Sequence, residues 1–166
     1  YHDLVPNVAL GDAIGANMAR LGGIEYTDEQ AAFARDLRES LPDEPDALSQ
    51  LPPDHRERAA ESATYTEPLP ALDEGETGMY STDSGDVSWT VPLGRFTAAT
   101  WVVGTPAHSW QAVAAGTDVG VEGALYASKV IGTTLYDLLT DPELLERART
   151  EWADRTAGTE YESPMP

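Results

Sequence analysis

The chain opens with apolar positions at helical spacing. Leu10, Ala13, Ile14, Met18 and Leu21 recur with Ala9 and Asn17 in a helix that Asn7 caps and Gly22-Gly23 stops. A second helix is predicted from Thr27, with Gln30 in capping-box register, to about Leu41 before Pro42. Its apolar stripe is Ala31, Ala34 or Phe33, Leu37 and Leu41. The pair reads as a helical hairpin. Further on the period changes to two. Val87, Trp89 and Val91 alternate with Ser88 and Thr90, which predicts a strand, and Phe96 to Val103 reads as a strand covered on both faces.

After Gly104-Thr105-Pro106 a short helix is expected near Ser109, and a long one from about Asp118 to Leu139. Val121, Ala124, Leu125, Ser128, Ile131, Leu135 and Leu138 are assigned to its apolar face. Gly120, Gly123 and Gly132 would weaken it by about 1 kcal/mol each unless they permit close packing. The last helix opens at Asp141, with Pro142 at its first position, and ends near Gly158. The expected class is α/β, helix-rich with few strands. Two strands make too narrow a sheet to cover these helices, so partner strands are expected to be missing.

Between residues 42 and 80 the chain turns acidic and proline-rich, which predicts a long loop with one short helix from Asp54 to Ser62. The 166 residues suffice for one domain, and no run reaches the length of a membrane helix. The chain begins with Tyr1 rather than Met, which fits a processed product or a piece of something longer.

Charge narrows the function classes. Twenty-nine Asp and Glu against ten Lys and Arg give a formal net charge of −19, and Lys129 is the one lysine. Such a surface repels nucleic acid and anionic membranes, and neither is expected as a partner. The same bias points to a halophilic protein, because salt screens the self-repulsion. There is no cysteine. That excludes disulfides and thiolate chemistry, fits a cytoplasmic location, and leaves His, Asp and Glu as possible metal ligands.

His108 is the leading candidate for chemistry. It follows a predicted strand and a Gly-Thr-Pro turn and precedes a helix, where α/β proteins bind ligands, and its imidazole suits a divalent metal. Position alone favours the plainer reading, a histidine that caps the helix or sits in a buried hydrogen bond. Asp83 and Asp86 could orient a histidine, bind a substrate cation, or simply make an Asx turn. His2, at the terminus, and His55, in the long loop, add nothing to a metal site. The four tryptophans read as core or domain contacts. No His-x-x-x-His, Gly-x-Ser-x-Gly or phosphate-cradling glycine motif is present.

Three ordered segments carry a resemblance. Ser81-Thr82-Asp83-Ser84-Gly85-Asp86-Val87-Ser88-Trp89, then Gly104-Thr105-Pro106-Ala107-His108-Ser109-Trp110-Gln111, then Asp137 through Leu145 resemble the C-terminal part of aminobenzoyl-glutamate hydrolase B-type amidohydrolases. These belong with the aminoacylase and carboxypeptidase co-catalytic metallopeptidases. Tyr1 to Asn7 and the helical hairpin resemble the segment after that family's inserted lid.

The resemblance implies an α/β catalytic domain and a lid domain that mediates dimerisation. It also implies two zinc or manganese ions and a glutamate general base. His108 would then match a metal ligand, and Asp83 and Asp86 an acidic pocket motif. Gly104, Thr105, Ser109 and Trp110 would shape the pocket edge. The general base, the other ligands and the lid are expected in polypeptide outside this chain, so metal binding here should be weak or absent and no catalytic base is assigned. The expected function is a fragment of a metal-dependent amidohydrolase acting on a small N-acyl-amino-acid or aminobenzoyl-glutamate-type amide. The alternatives are a non-catalytic subunit or relic that binds the missing half in trans, and an acidic interaction protein. Exposed strand edges would favour self-association.

Overall fold

The computed structural model describes residues 2–41, 48, 51, 53–69 and 82–163. Seven helices are found among them: α1 (Val8–Leu21), α2 (Asp28–Glu39), α3 (Pro53–Ala60), α4 (Ser84–Ser88), α5 (Trp110–Ala115), α6 (Asp118–Thr140) and α7 (Pro142–Thr156). Among the described residues there is no β-strand, which overturns the α/β expectation. Of the expected long loop, residues 42–47, 49–50, 52 and 70–80 lie outside the described residues, and the short helix expected within it from Asp54 to Ser62 is present as α3. No described helix is long and apolar enough to cross a membrane.

The chain divides into two compact units. The first comprises residues 1–21, 69–96 and 130–166, and the second comprises 22–68 and 97–129.

In the first unit α1 packs on α7. Leu10 and Ile14 of α1 are buried, as are Leu144 and Ala148 of α7 and Val130 of α6. Polar side chains then fix the geometry. Asn7 accepts from the Leu10 amide at 3.0 Å, capping α1, and donates to the Ala148 carbonyl at 2.8 Å. Glu151 of α7 accepts from the Val8 and Ala9 amides at 2.8 and 3.0 Å. The free amides of the first turn of α1 are thereby satisfied. Asn17 is buried on the inner face of α1 and donates to Thr134 at 3.1 Å and Asp137 at 2.7 Å. These partners offset the desolvation of its amide. Asp141 caps α7 through the Glu143 and Leu144 amides.

The segment expected as the first strand forms α4 instead. Its buried positions are Gly85 and Ser88, three apart, while Val87 and Val91 are exposed. Local hydroxyl chemistry outweighs the alternation. Thr82 accepts from the Ser84 amide at 3.3 Å, and the Ser88 hydroxyl bonds back to the Gly85 carbonyl. Ser88 also accepts from the Val5 amide at 2.8 Å, and the Ser88 carbonyl accepts from the Trp152 indole at 2.8 Å.

The second unit is built on Ala34, Leu37, Val102, Ala115 and Val119, with Phe33 and Ala63 packed against them. The capping box at Thr27 and Gln30 is present and starts α2. The strand expected from Phe96 to Val103 is absent: its residues 97–103, which belong to this unit, run without a ladder partner among the described residues. It is not covered on both faces as expected, because Thr97 and Trp101 are exposed. Val102 enters the core, and the Val103 amide reaches the Ala63 carbonyl at 2.9 Å. A Cβ at Gly123 would strike the Ala99 carbonyl, and one at Gly120 would meet the Ala115 carbonyl at 2.7 Å. Gly123 thus admits the segment and Gly120 admits the end of α5, whereas a Cβ at Gly132 would meet nothing within 4 Å.

The expected inner face of α6 is also corrected. Val119, Tyr126, Val130 and Thr134 are buried, whereas Val121, Leu125, Ile131 and Leu135 are exposed. Apolar residues surround this helix, so periodicity does not single out the buried face. The close approach at Gly120 and Gly123 does so for the half in the second unit.

Candidate functional site

The turn that carries His108 is built from short-range bonds. The Thr105 amide and hydroxyl both donate to the Val102 carbonyl, at 3.2 and 2.8 Å. Gly104 takes the left-handed backbone, with φ 82°, that glycine adopts without steric cost. Ser109 caps α5: its hydroxyl accepts from the Ala112 amide at 3.2 Å and donates to the Pro106 carbonyl at 2.8 Å. The cap is therefore Ser109, not His108.

His108 itself lies at φ 62°, the one described residue other than glycine with positive φ. That region is sparsely populated by residues with a Cβ, although histidine is among those enriched there. Its side chain is exposed and has no hydrogen-bond or ion-pair partner among the described residues. It lines an open depression of about 670 Å³ in the second unit with Trp101, Ser109, Trp110, Ala112 and Val113. Trp110 is 63% exposed and Val113 78%. An imidazole with unspent nitrogens thus stands beside apolar and aromatic surface.

Asp83 and Asp86 belong to the first unit. Asp83 is exposed at the start of α4 and makes no side-chain cap bond. Asp86 accepts from the Tyr161 hydroxyl at 3.2 Å. Burial, then the hydrogen bond to Asp86 and the charge of that carboxylate, hold the Tyr161 hydroxyl above its ordinary pKa. The His2 ring packs beside Tyr161 and Trp89, and the Trp89 indole donates to the Asp3 carbonyl at 2.9 Å. His55 lies in the second unit, with Nδ1 2.5 Å from the Tyr65 hydroxyl.

The zinc or manganese that the resemblance implies needs several converging donors. Among the described residues no three His, Asp or Glu side chains converge. His108 supplies one donor, so the described residues do not by themselves fit such an ion. Ser88, Glu151 and Asn17, which bind the first unit together, carry no sequence signal of that organising role. The partners through which they join separate segments lie 64 or more positions away, so nothing local marks that role.

No family model matches the chain, and no solved structure does. Among curated proteins it is similar to the B subunit of p-aminobenzoyl-glutamate hydrolase from Escherichia coli strain K12. The two are 30% identical over 172 residues. The match covers 98% of this chain and 36% of that protein, so the chain spans about a third of its relative's length. The resemblance carried by the three motifs is borne out: nearly the whole chain is similar to a stretch of the B subunit of an aminobenzoyl-glutamate hydrolase.

Proposed function

We propose that this chain is part of a hydrolase that cleaves the amide bond of an aminobenzoyl-glutamate or related N-acyl-amino acid. The similarity over 98% of the chain carries this reading. The His108 depression supports it as the place where the amide is held. Hydrolysis adds water across the amide, so the C–N bond breaks and a carboxylate and an amine leave. The His108 imidazole lines this depression, and neither of its nitrogens has a partner among the described residues, so both are open to a ligand. His108 would hold a zinc or manganese ion only together with donors from outside the described residues.

In a second reading the chain is a part that joins further polypeptide before any chemistry occurs. Two observations favour it: the match covers 36% of the relative, and Leu125, Leu135 and Leu139 of α6 are exposed. Large apolar side chains left exposed on a helix mark a contact surface for another polypeptide.

The test uses the full polypeptide that carries this chain, with release of p-aminobenzoate from p-aminobenzoyl-glutamate as the readout. His108→Ala should lower kcat by about a hundredfold or more with the helical circular dichroism unchanged. An unaltered rate would remove His108 from the site. On the second reading the isolated chain is inert and regains activity when the remaining polypeptide is supplied. An active isolated chain would exclude that reading.

A further inference from the structure

The four tryptophans fall into two groups. Trp89 and Trp152 are partly buried, and their indole N–H groups are spent on the Asp3 and Ser88 carbonyls at 2.9 and 2.8 Å. They are fastened parts of the first unit. Trp101 and Trp110 are exposed, 42% and 63%, and their indole N–H groups have no partner among the described residues. Both line the depression that holds His108.

The rest of that lining limits what can bind. Ala112 and Val113 are apolar, and the Ser109 hydroxyl is committed to the Pro106 carbonyl and the Ala112 amide. No Arg or Lys borders the depression among the described residues, and the chain carries a formal charge of −19. This wall therefore offers no guanidinium or ammonium group to the carboxylates of a glutamate. It offers two indole rings, and their faces suit a flat aromatic group. Trp110 is the first residue of a helix that starts at a satisfied cap, so its backbone is fixed before a ligand arrives.

We propose that Trp101 and Trp110 form an aryl-binding wall beside His108 that holds the acyl side of an aromatic amide and selects it over an aliphatic one. This rests on the hydrolase reading of the same depression and adds which end of the substrate it takes. The amino-acid end, with its carboxylates, points away from the wall. The exposed indoles are then specificity residues rather than uncovered core.

Two measurements on the full polypeptide test the assignment. The first compares kcat/KM for p-aminobenzoyl-glutamate and N-acetylglutamate in the parent, Trp110→Ala, Trp101→Ala and Trp110→Phe. The aryl-to-acetyl ratio should fall about tenfold in each alanine variant, through KM rather than kcat, and Trp110→Phe should restore most of it. An equal loss on both substrates would make the indoles packing residues and overturn the proposal. The second measurement is calorimetric titration with p-aminobenzoate, which needs no turnover. Affinity should weaken about tenfold in Trp110→Ala and recover in Trp110→Phe. Equal affinity in parent and Trp110→Ala, or no binding by the parent at millimolar p-aminobenzoate, would overturn it. If the parent hydrolyses neither amide, the hydrolase reading falls and the titration alone decides the aryl wall.

Discussion

Glu151 offers a test of how the first unit is held. Its carboxylate accepts from the Val8 and Ala9 amides at the start of α1, and Arg155 donates to it at 2.9 Å. Glu151→Gln keeps the shape but removes the charge. The amide can accept through one oxygen only, so it turns an NH2 toward one of the two backbone donors. Loss of a helix-capping acceptor costs about 0.5–2 kcal/mol, and loss of an anion at a helix N-terminus about 0.3–1 kcal/mol. The side chain is 20% exposed, which lets water replace part of the loss. We expect a destabilisation of about 1–2 kcal/mol at pH 7, or roughly 0.5–1 M in the urea midpoint.

Acidification gives a second arm. Burial alone would raise the Glu151 pKa, but the two backbone hydrogen bonds and Arg155 outweigh it and hold the carboxyl below its ordinary value of 4.5. A carboxyl depressed in the folded state contributes stability that is full above the unfolded pKa. That stability is lost as pH falls through the folded pKa. The gap between parent and Glu151→Gln should be constant from pH 7 to about 5, then shrink as Glu151 protonates. No gap at neutral pH, or one that persists undiminished well below the folded pKa, would refute the account.

Two glycines of the first unit should respond with opposite sign. A Cβ at Gly85 would meet the His2 carbonyl oxygen, whereas Gly15 of α1 has nothing within 4 Å. Gly85→Ala should therefore destabilise by about 1–3 kcal/mol, and Gly15→Ala should stabilise by up to about 1 kcal/mol, read from urea midpoints. Equal effects would mean that the Gly85 contact is absent. With a formal charge of −19, stability should also rise with sodium chloride, as the Debye length shortens from about 10 Å at 0.1 M to about 3 Å at 1 M. A urea midpoint that is flat or falling over that range would remove the case for adaptation to high salt.

What could be read from the sequence was what short-range chemistry dictates. Asn7, Thr27, Ser109 and Asp141 sit where helices begin, and Gly22 and Gly158 have the positive φ used to leave them. The two strands misled for separate physical reasons. At 87–91 an alternating pattern coincided with Ser and Thr hydroxyls that close a helical turn. At 96–103 an apolar run sends Val102 into a helical core and leaves Thr97 and Trp101 exposed. An apolar run does not require a ladder, and cover by helices on one face is another way to bury part of it.

The same distinction governs the depression around His108. The turn and the α5 cap are local, so the approximate placement of His108 was legible from Gly104 to Gln111. Its lack of partners among the described residues and the company of Trp101 are tertiary facts. Four tryptophans look alike in a sequence, yet two spend their N–H groups on carbonyls and two have no partner among the described residues. A spent indole is held in place by the fold and cannot be offered to a ligand without breaking that bond. An exposed, unspent pair beside an unpaired imidazole costs the fold apolar surface left in water, about 25 cal/mol per Å². Binding an aromatic ligand recovers that free energy. The contrast makes Trp101 and Trp110 the indoles to change when the question is what the depression holds, with Trp89 and Trp152 as the pair whose loss should report on folding instead.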